Sequence, residues 1–279
     1  MKLGCFTLPY RKFPFERALE GIARGGFKHV GIWPVHEEKP IFEHKAGEEG
    51  KAAEARRACE RAGLQVTVLF GQHGPANEAE LAEFKIKIGQ AAALGASELL
   101  CWGPWPWKEF LKQRLPEAEW KSKTDAFFKF LAPAAKHAEQ LGVTLSFKPH
   151  CGLTASSKEL AELVRRAQSS RVRVSYDGGN VSFYEGLDPA QDILPVANLC
   201  SSLIIKDHIG GQGVAGPGSF PNVGEGKVEH LSMLRTLQRA GFAGPVSVEK
   251  MAGETVEDLD ASAGQSYRVL EGYVKELSA

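Results

Sequence analysis

The chain lacks an excess of charge of either sign. Its 279 residues carry 34 Lys and Arg against 34 Asp and Glu, for a formal net charge of zero. Nucleic-acid binders show a basic excess or stripe. Neither is present, so a small substrate is expected and nucleic acid is not. Cysteine is scarce: Cys5, Cys59, Cys101, Cys151 and Cys200 are scattered, odd in number and form no C-x-x-C. That argues against a disulfide framework and for reduced thiols in a cytoplasm. The opening "MKLGCFTLPY" lacks the apolar run of a signal peptide. No apolar run approaches the roughly 20 residues needed to span a bilayer, so no membrane partner is expected. A Walker A loop and a Gly-rich dinucleotide fingerprint are also missing.

What is present is 43% apolar residues, enough for one large core and one domain over residues 1–279. One joint recurs: an amphipathic segment, a glycine, then a short apolar run. It reads "ARGGFKHVGIW", "RAGLQVTVLF", "ALGASELLCW", "QLGVTLSF" and "RAGFAGPVSVE". Gly26, Gly63, Gly95, Gly142 and Gly241 suit the position past a helix end, where the backbone turns left-handed. Segments such as "FERALEGIA", "ELAELVRRA" and "HLSMLRTLQRA" place apolar residues at helical spacing. The short runs are apolar and only weakly alternating, as in parallel strands covered on both faces. Eight are predicted: 3–7, 29–33, 65–70, 98–102, 144–148, 173–177, 202–206 and 245–249. Eight evenly spaced units predict a closed (β/α)8 TIM barrel rather than an open doubly wound sheet. "GGQGVAGPGSFPNVGEG", after strand seven, reads as a mobile loop over the mouth.

In such a barrel, functional groups stand at the C-terminal strand ends. Those ends carry Trp33 and His36; Gln72 and His73; Trp102, Trp105 and Trp107; Lys148 and His150; Asp177 and Asn180; Lys206, Asp207 and His208; and Glu249 and Lys250. Outer-face charges such as Lys85 and Lys87 read as solubilising, and His230 as a surface residue.

"VSYDGGN" at strand six, "IIKDH" at strand seven, "NVGEGKV" after it and "VSVEK" at strand eight make the chain resemble the xylose isomerase-like barrels. That group includes sugar isomerases and epimerases, inosose dehydratases and zinc-dependent apurinic endonucleases. The resemblance implies a divalent metal held by a strand-five glutamate, a strand-six aspartate, a strand-seven histidine and a strand-eight glutamate. Asp177 and Glu249 match. The other two seats fall on Lys148 and Ile204. The endonuclease option fits poorly, with neutral charge and Phe220 where a late histidine would fall.

No metal is therefore expected. If one binds (Mn, Mg or Zn), the candidate ligands are Asp177, His208 and Glu249. The catalytic candidates are Lys148, Asp177 and Glu249. Lys148 supplies a cation between two acids, either as a structural salt bridge or as the electrophile replacing the metal. Two carboxylates are expected to outweigh burial and keep it charged; a neutral amine would instead serve as a base or Schiff-base nucleophile. Substrate-binding candidates are Trp33, His73, Trp102, His150, Asn180, Lys206 and His208. Indole faces suit the C–H side of a sugar ring. Asp207 is expected to cap a turn. The expected activity is that of an isomerase, epimerase or related lyase on a sugar or cyclitol-like polyhydroxy carbonyl compound. A metal-dependent enzyme with a shifted site and a sugar-binding pseudoenzyme are the alternatives, and homo-oligomerisation stays open.

Overall fold

A computed structural model describes residues 1–278, with the side chain of Gln72 also outside the described residues. Eight parallel strands close into a barrel in chain order. They are β1 (Lys2–Phe6), β2 (His29–Ile32), β3 (Gln65–His73), β4 (Glu98–Trp102), β5 (Thr144–Phe147), β6 (Val172–Asp177), β7 (Cys200–Ile205) and β8 (Pro245–Val248). Each strand pairs with the next, and β8 returns to β1 with Cys5 opposite Val248. The expected strands are all present. The largest difference is at β3, which runs on past Phe70 through an irregular register to His73.

Helices α1 (Phe15–Arg24), α2 (Glu49–Arg61), α3 (Glu78–Leu94), α4 (Glu117–Leu141), α5 (Ser157–Ala167), α6 (Gly178–Glu185), α7 (Pro189–Asp192), α8 (His230–Arg239) and α9 (Val256–Ser278) surround it. All five glycines predicted past helix ends have positive φ. The main core lies between these helices and the outer strand faces. α6 is the least typical helix. It starts with two glycines directly after β6, and Asp177 caps it by accepting the Asn180 backbone N–H. Gly179 is required there: a Cβ would stand 2.4 Å from the Lys206 carbonyl oxygen.

The barrel interior is layered because alternate strand residues face inward. Near the floor, Ser202 Oγ lies 2.7 Å from both Glu98 Oε2 and Ser175 Oγ. Burial raises the Glu98 pKa. Above it, Phe6, Val68, Phe70, Leu100 and Ile204 form an apolar layer. The next inward positions are Trp33, Trp102, Lys148, Asp177, Lys206 and Glu249, so the apolar layer is the platform on which the charged groups stand. Two surface expectations fail. Lys87 is buried, its Nζ 2.8 Å from Glu83 Oε1 one helical turn away. His230 is fully covered at the start of α8.

Candidate active site

Four charged side chains from four strand ends meet at the centre of the mouth. Lys148 Nζ lies 2.8 Å from Glu249 Oε2 and 3.7 Å from Asp177 Oδ2. Lys206 Nζ lies 2.6 Å from Glu249 Oε1, 3.2 Å from Asp177 Oδ2 and 2.9 Å from Asn180 Oδ1. The quartet is neutral in sum and almost wholly buried. Its two ammonium groups are not equivalent. An ammonium has three N–H donors. Lys206 directs all three at protein oxygens. Lys148 has one close oxygen, and the Phe70 ring lies on another side with its centroid 5.0 Å away. Lys148 therefore keeps donor capacity for a ligand.

The electrostatics divide in the same way. Burial would lower Lys206, but Asp177 and Glu249 more than offset it and raise its pKa. Burial lowers Lys148, and the charge of Lys206 adds to that against the pull of Glu249 and Asp177. Two acids with one lysine would favour the cation, as the sequence suggests. Burial outweighs them here, and the second ammonium, which shares both acids, adds to the lowering. Burial would raise Glu249, but its two ammonium partners overcome this and hold it down at about 2. Asp177 is raised by burial and by Glu249 against both lysines. Glu249 is thus a fixed counter-ion, and Asp177 is the more basic carboxylate of the two.

Aromatic rings wall this centre. Trp33 packs edge-on to Phe70 at 4.8 Å between centroids, and Phe70 meets Trp102 at 5.8 Å. Trp102 stacks on His150 at 5.9 Å, and His150 lies against Trp105 and Tyr184 at 4.6 and 4.4 Å. His150 Nε2 is 3.1 Å from the Tyr184 hydroxyl, while Nδ1 is buried with no partner. Burial, then Lys148 and Lys206, push His150 down to about 2, so its ring is neutral.

A sequence profile described as xylose isomerase-like TIM barrel matches residues 19–272. The chain belongs to that family. No curated protein matches the sequence. Solved structures similar to this xylose isomerase-like barrel include the IOLI protein with a bound zinc atom, at 14% identity and TM-score 0.77, covering 99% of each chain. Another is the apo 3-keto-D-glucoside 4-epimerase from E. coli, at 14% identity and TM-score 0.74, covering 96% of this chain and 99% of that one. A third is D-psicose 3-epimerase with D-tagatose from Clostridium cellulolyticum, at 15% identity and TM-score 0.71, covering 98% of this chain and 99% of that one. At these identities the likeness is one of fold.

The residues of this xylose isomerase-like barrel do not fit the divalent metal that the family resemblance implies. Ile204, which the resemblance sets in the histidine seat, is sealed in the apolar layer. Lys148, which the resemblance sets in the glutamate seat, brings an amine in place of a carboxylate donor. Both Glu249 oxygens already face ammonium groups. His208, the proposed substitute ligand, is committed elsewhere. Its Nδ1 accepts from the Gly210 N–H and meets Ser182 Oγ at 2.9 Å, and its Nε2 donates to the Val214 carbonyl. It anchors the loop after β7 and has no free ring nitrogen for a substrate or ion. Among the described residues no three His, Cys, Asp or Glu side chains form a metal-holding group.

Other candidates have local duties. His73 Nδ1 donates to the Gly103 carbonyl, and Nε2 accepts the Trp102 indole N–H at 3.1 Å, so it positions Trp102. Asn180 donates to the Pro149 carbonyl and accepts from Lys206, which ties β5, α6 and β7 together around the quartet. His36 is held by Phe13 O and Thr7 Oγ1. Asp207 caps as expected, on a larger scale: its carboxylate accepts the N–H groups of His208, Gly224, Gly226 and Val228. The rim also holds Tyr184 and Arg11, and the platform beneath it Phe70, which the strand-end reading leaves out. Phe70 closes the run that reads as strand three, and a lone apolar residue there carries no chemical signal. Tyr184 belongs to a helix, and Arg11 follows β1, whose end carries no charge.

Proposed function

We propose that this chain catalyses proton transfer next to the carbonyl of a sugar or related polyhydroxy compound, as an isomerase, epimerase or lyase that needs no metal. The observation that carries this reading is the under-coordinated ammonium of Lys148, held 2.8 Å from Glu249 on an apolar platform. Family membership and similar structures described as a 3-keto-D-glucoside 4-epimerase and a D-psicose 3-epimerase support the substrate class.

In this reading Lys148 donates to the carbonyl oxygen. A lowered pKa makes it a better acid than an ordinary lysine. Asp177 takes the proton from the adjacent carbon. The C–H electron pair becomes a carbon–carbon double bond, the carbonyl pair moves onto oxygen, and the Lys148 proton neutralises that oxygen. Return of a proton to the same or the neighbouring carbon gives epimer or isomer. Glu249 keeps Lys148 aimed, and Lys206 keeps both acids in place. The faces of Trp33 and Trp102 cover the C–H side of the ring and exclude water.

The test is deuterium uptake from D2O into a panel of ketoses and aldoses by chelator-treated protein. Wild type should exchange the proton beside the carbonyl, and Lys148→Ala should lose on the order of 10²–10⁴-fold. Added Mn²⁺ should not restore the variant. Restoration would overturn the electrophile role. A borohydride-trapped adduct at Lys148 would replace it with Schiff-base chemistry.

A further inference from the structure

A cleft of about 380 Å3 opens beside the quartet, between the segment after β1 and the residues after β8. Four cations line it (Arg11, Lys12, Lys206 and Lys250) against two carboxylates, Glu249 and Glu254. Lys206 and Glu249 satisfy each other inside the quartet. That leaves three cations facing one acid on a molecule with no net charge. Among the described residues Arg11, Lys12 and Lys250 have no ion-pair partner within 4.0 Å. Lys250 is exposed, and its Nζ stands over the Phe220 ring, 3.9 Å from the centroid. Partial burial, then the charge of Lys206, push it below the usual lysine range against the pull of Glu249, and Arg11 adds to the lowering. An anion in the cleft would relieve that repulsion. A neighbouring hollow of about 480 Å3 shares Arg11 and Lys12 but has Glu37 and Glu38 beside Trp33, so the anion-favouring end is the Lys250 side.

We infer that this cleft is an anion subsite, and that the substrate is a polyhydroxy carbonyl compound bearing a terminal phosphate or carboxylate. The inference rests on the proton-transfer reading only for the rest of the substrate. Arg11 and Lys250 grip the anion, which puts the carbonyl end over Lys148. Arginine suits planar, two-point recognition of such groups.

Two experiments on the full chain test this. Inorganic phosphate and acetate are titrated calorimetrically into wild type, Arg11→Ala, Lys250→Ala and the remote control Lys45→Ala. At least one anion should bind saturably, weakening roughly tenfold or more in the two cleft variants and not in the control. Equal binding in all four proteins, or saturable binding of neither anion, overturns the subsite. Turnover of a ketose is then compared with that of its terminal phosphate and its terminal carboxylate. An advantage for one anionic form that Arg11→Ala removes supports the subsite and identifies the group; no advantage for either overturns it. Cleft-dependent anion binding without turnover of any sugar would sink the proton-transfer reading and leave the subsite standing.

Discussion

Lys148 and Lys206 reach the same two acids but differ in how many partners each has left to find. Lys206 completes its coordination with Asn180, while Lys148 stops at one close oxygen. Removing one member of a buried ionic network strands the others, at a cost of roughly 3–5 kcal/mol. Lys206→Ala should therefore show its main effect in urea or thermal unfolding, by about that amount. Lys148→Ala should fold with a smaller loss and show its main effect in turnover. Equal stability losses in the two variants would mean that the ammonium groups are interchangeable. Part of this division is legible in the sequence. Alternation along β7 puts Lys206 on the same face as Ile204, as Lys148 follows Ser146 on β5. That both lysines reach both acids is not legible, because it depends on the separation of strand ends around a closed barrel. The same limit applies to His208 and His73. Their places at the rim can be read, but the carbonyl groups that occupy their nitrogens belong to loops whose paths local sequence does not specify.

Among the elements, the loop after β7 depends on Asp207. Read from its glycines alone it is a mobile flap. Its base is tied by four backbone N–H groups converging on one carboxylate, and further along His208 holds the Val214 carbonyl. Asp207→Ala leaves those donors without their acceptor. A loss of about 3 kcal/mol in unfolding free energy is expected, with faster proteolysis between residues 209 and 223. Unchanged proteolysis would mean the loop holds itself. Under that base His230 starts α8 with both ring nitrogens unpartnered and Nε2 4.0 Å from Asp207 Oδ2. Burial pushes it from 6.5 down to about 4, against the pull of Asp207. Between those values the unfolded chain binds the proton that the folded chain refuses, so stability falls as pH drops from 6.5 to 4. About 3 kcal/mol is at stake. Wild type should lose that stability over this window in urea titrations, and His230→Phe should not. A histidine opening an amphipathic segment gives no sign of this burial; the acid it meets, Asp207, arrives from the end of β7.

On the scale of the whole molecule the fold was highly legible. Helix-ending glycines and apolar runs mark the units, their weak alternation marks strands covered on both faces, and the count of eight matches a closed barrel. The interior is less legible, since its layers appear only once the eight registers are aligned. Their alignment sets a serine and Glu98 floor, an apolar platform and a charged top. In the proposed reading the platform is what sets this barrel apart from a metal-binding one: Ile204 belongs to the apolar layer, and Lys148 stands 2.8 Å from Glu249. The most direct measurement is metal stoichiometry at the quartet. Purified protein is incubated with Mn²⁺ or Zn²⁺, dialysed and assayed for metal per chain, alongside Asp177→Asn and Glu249→Gln. An ammonium-filled centre predicts no stoichiometric ion in wild type and the same low value in both variants. One ion per wild-type chain, lost in the variants, would contradict it.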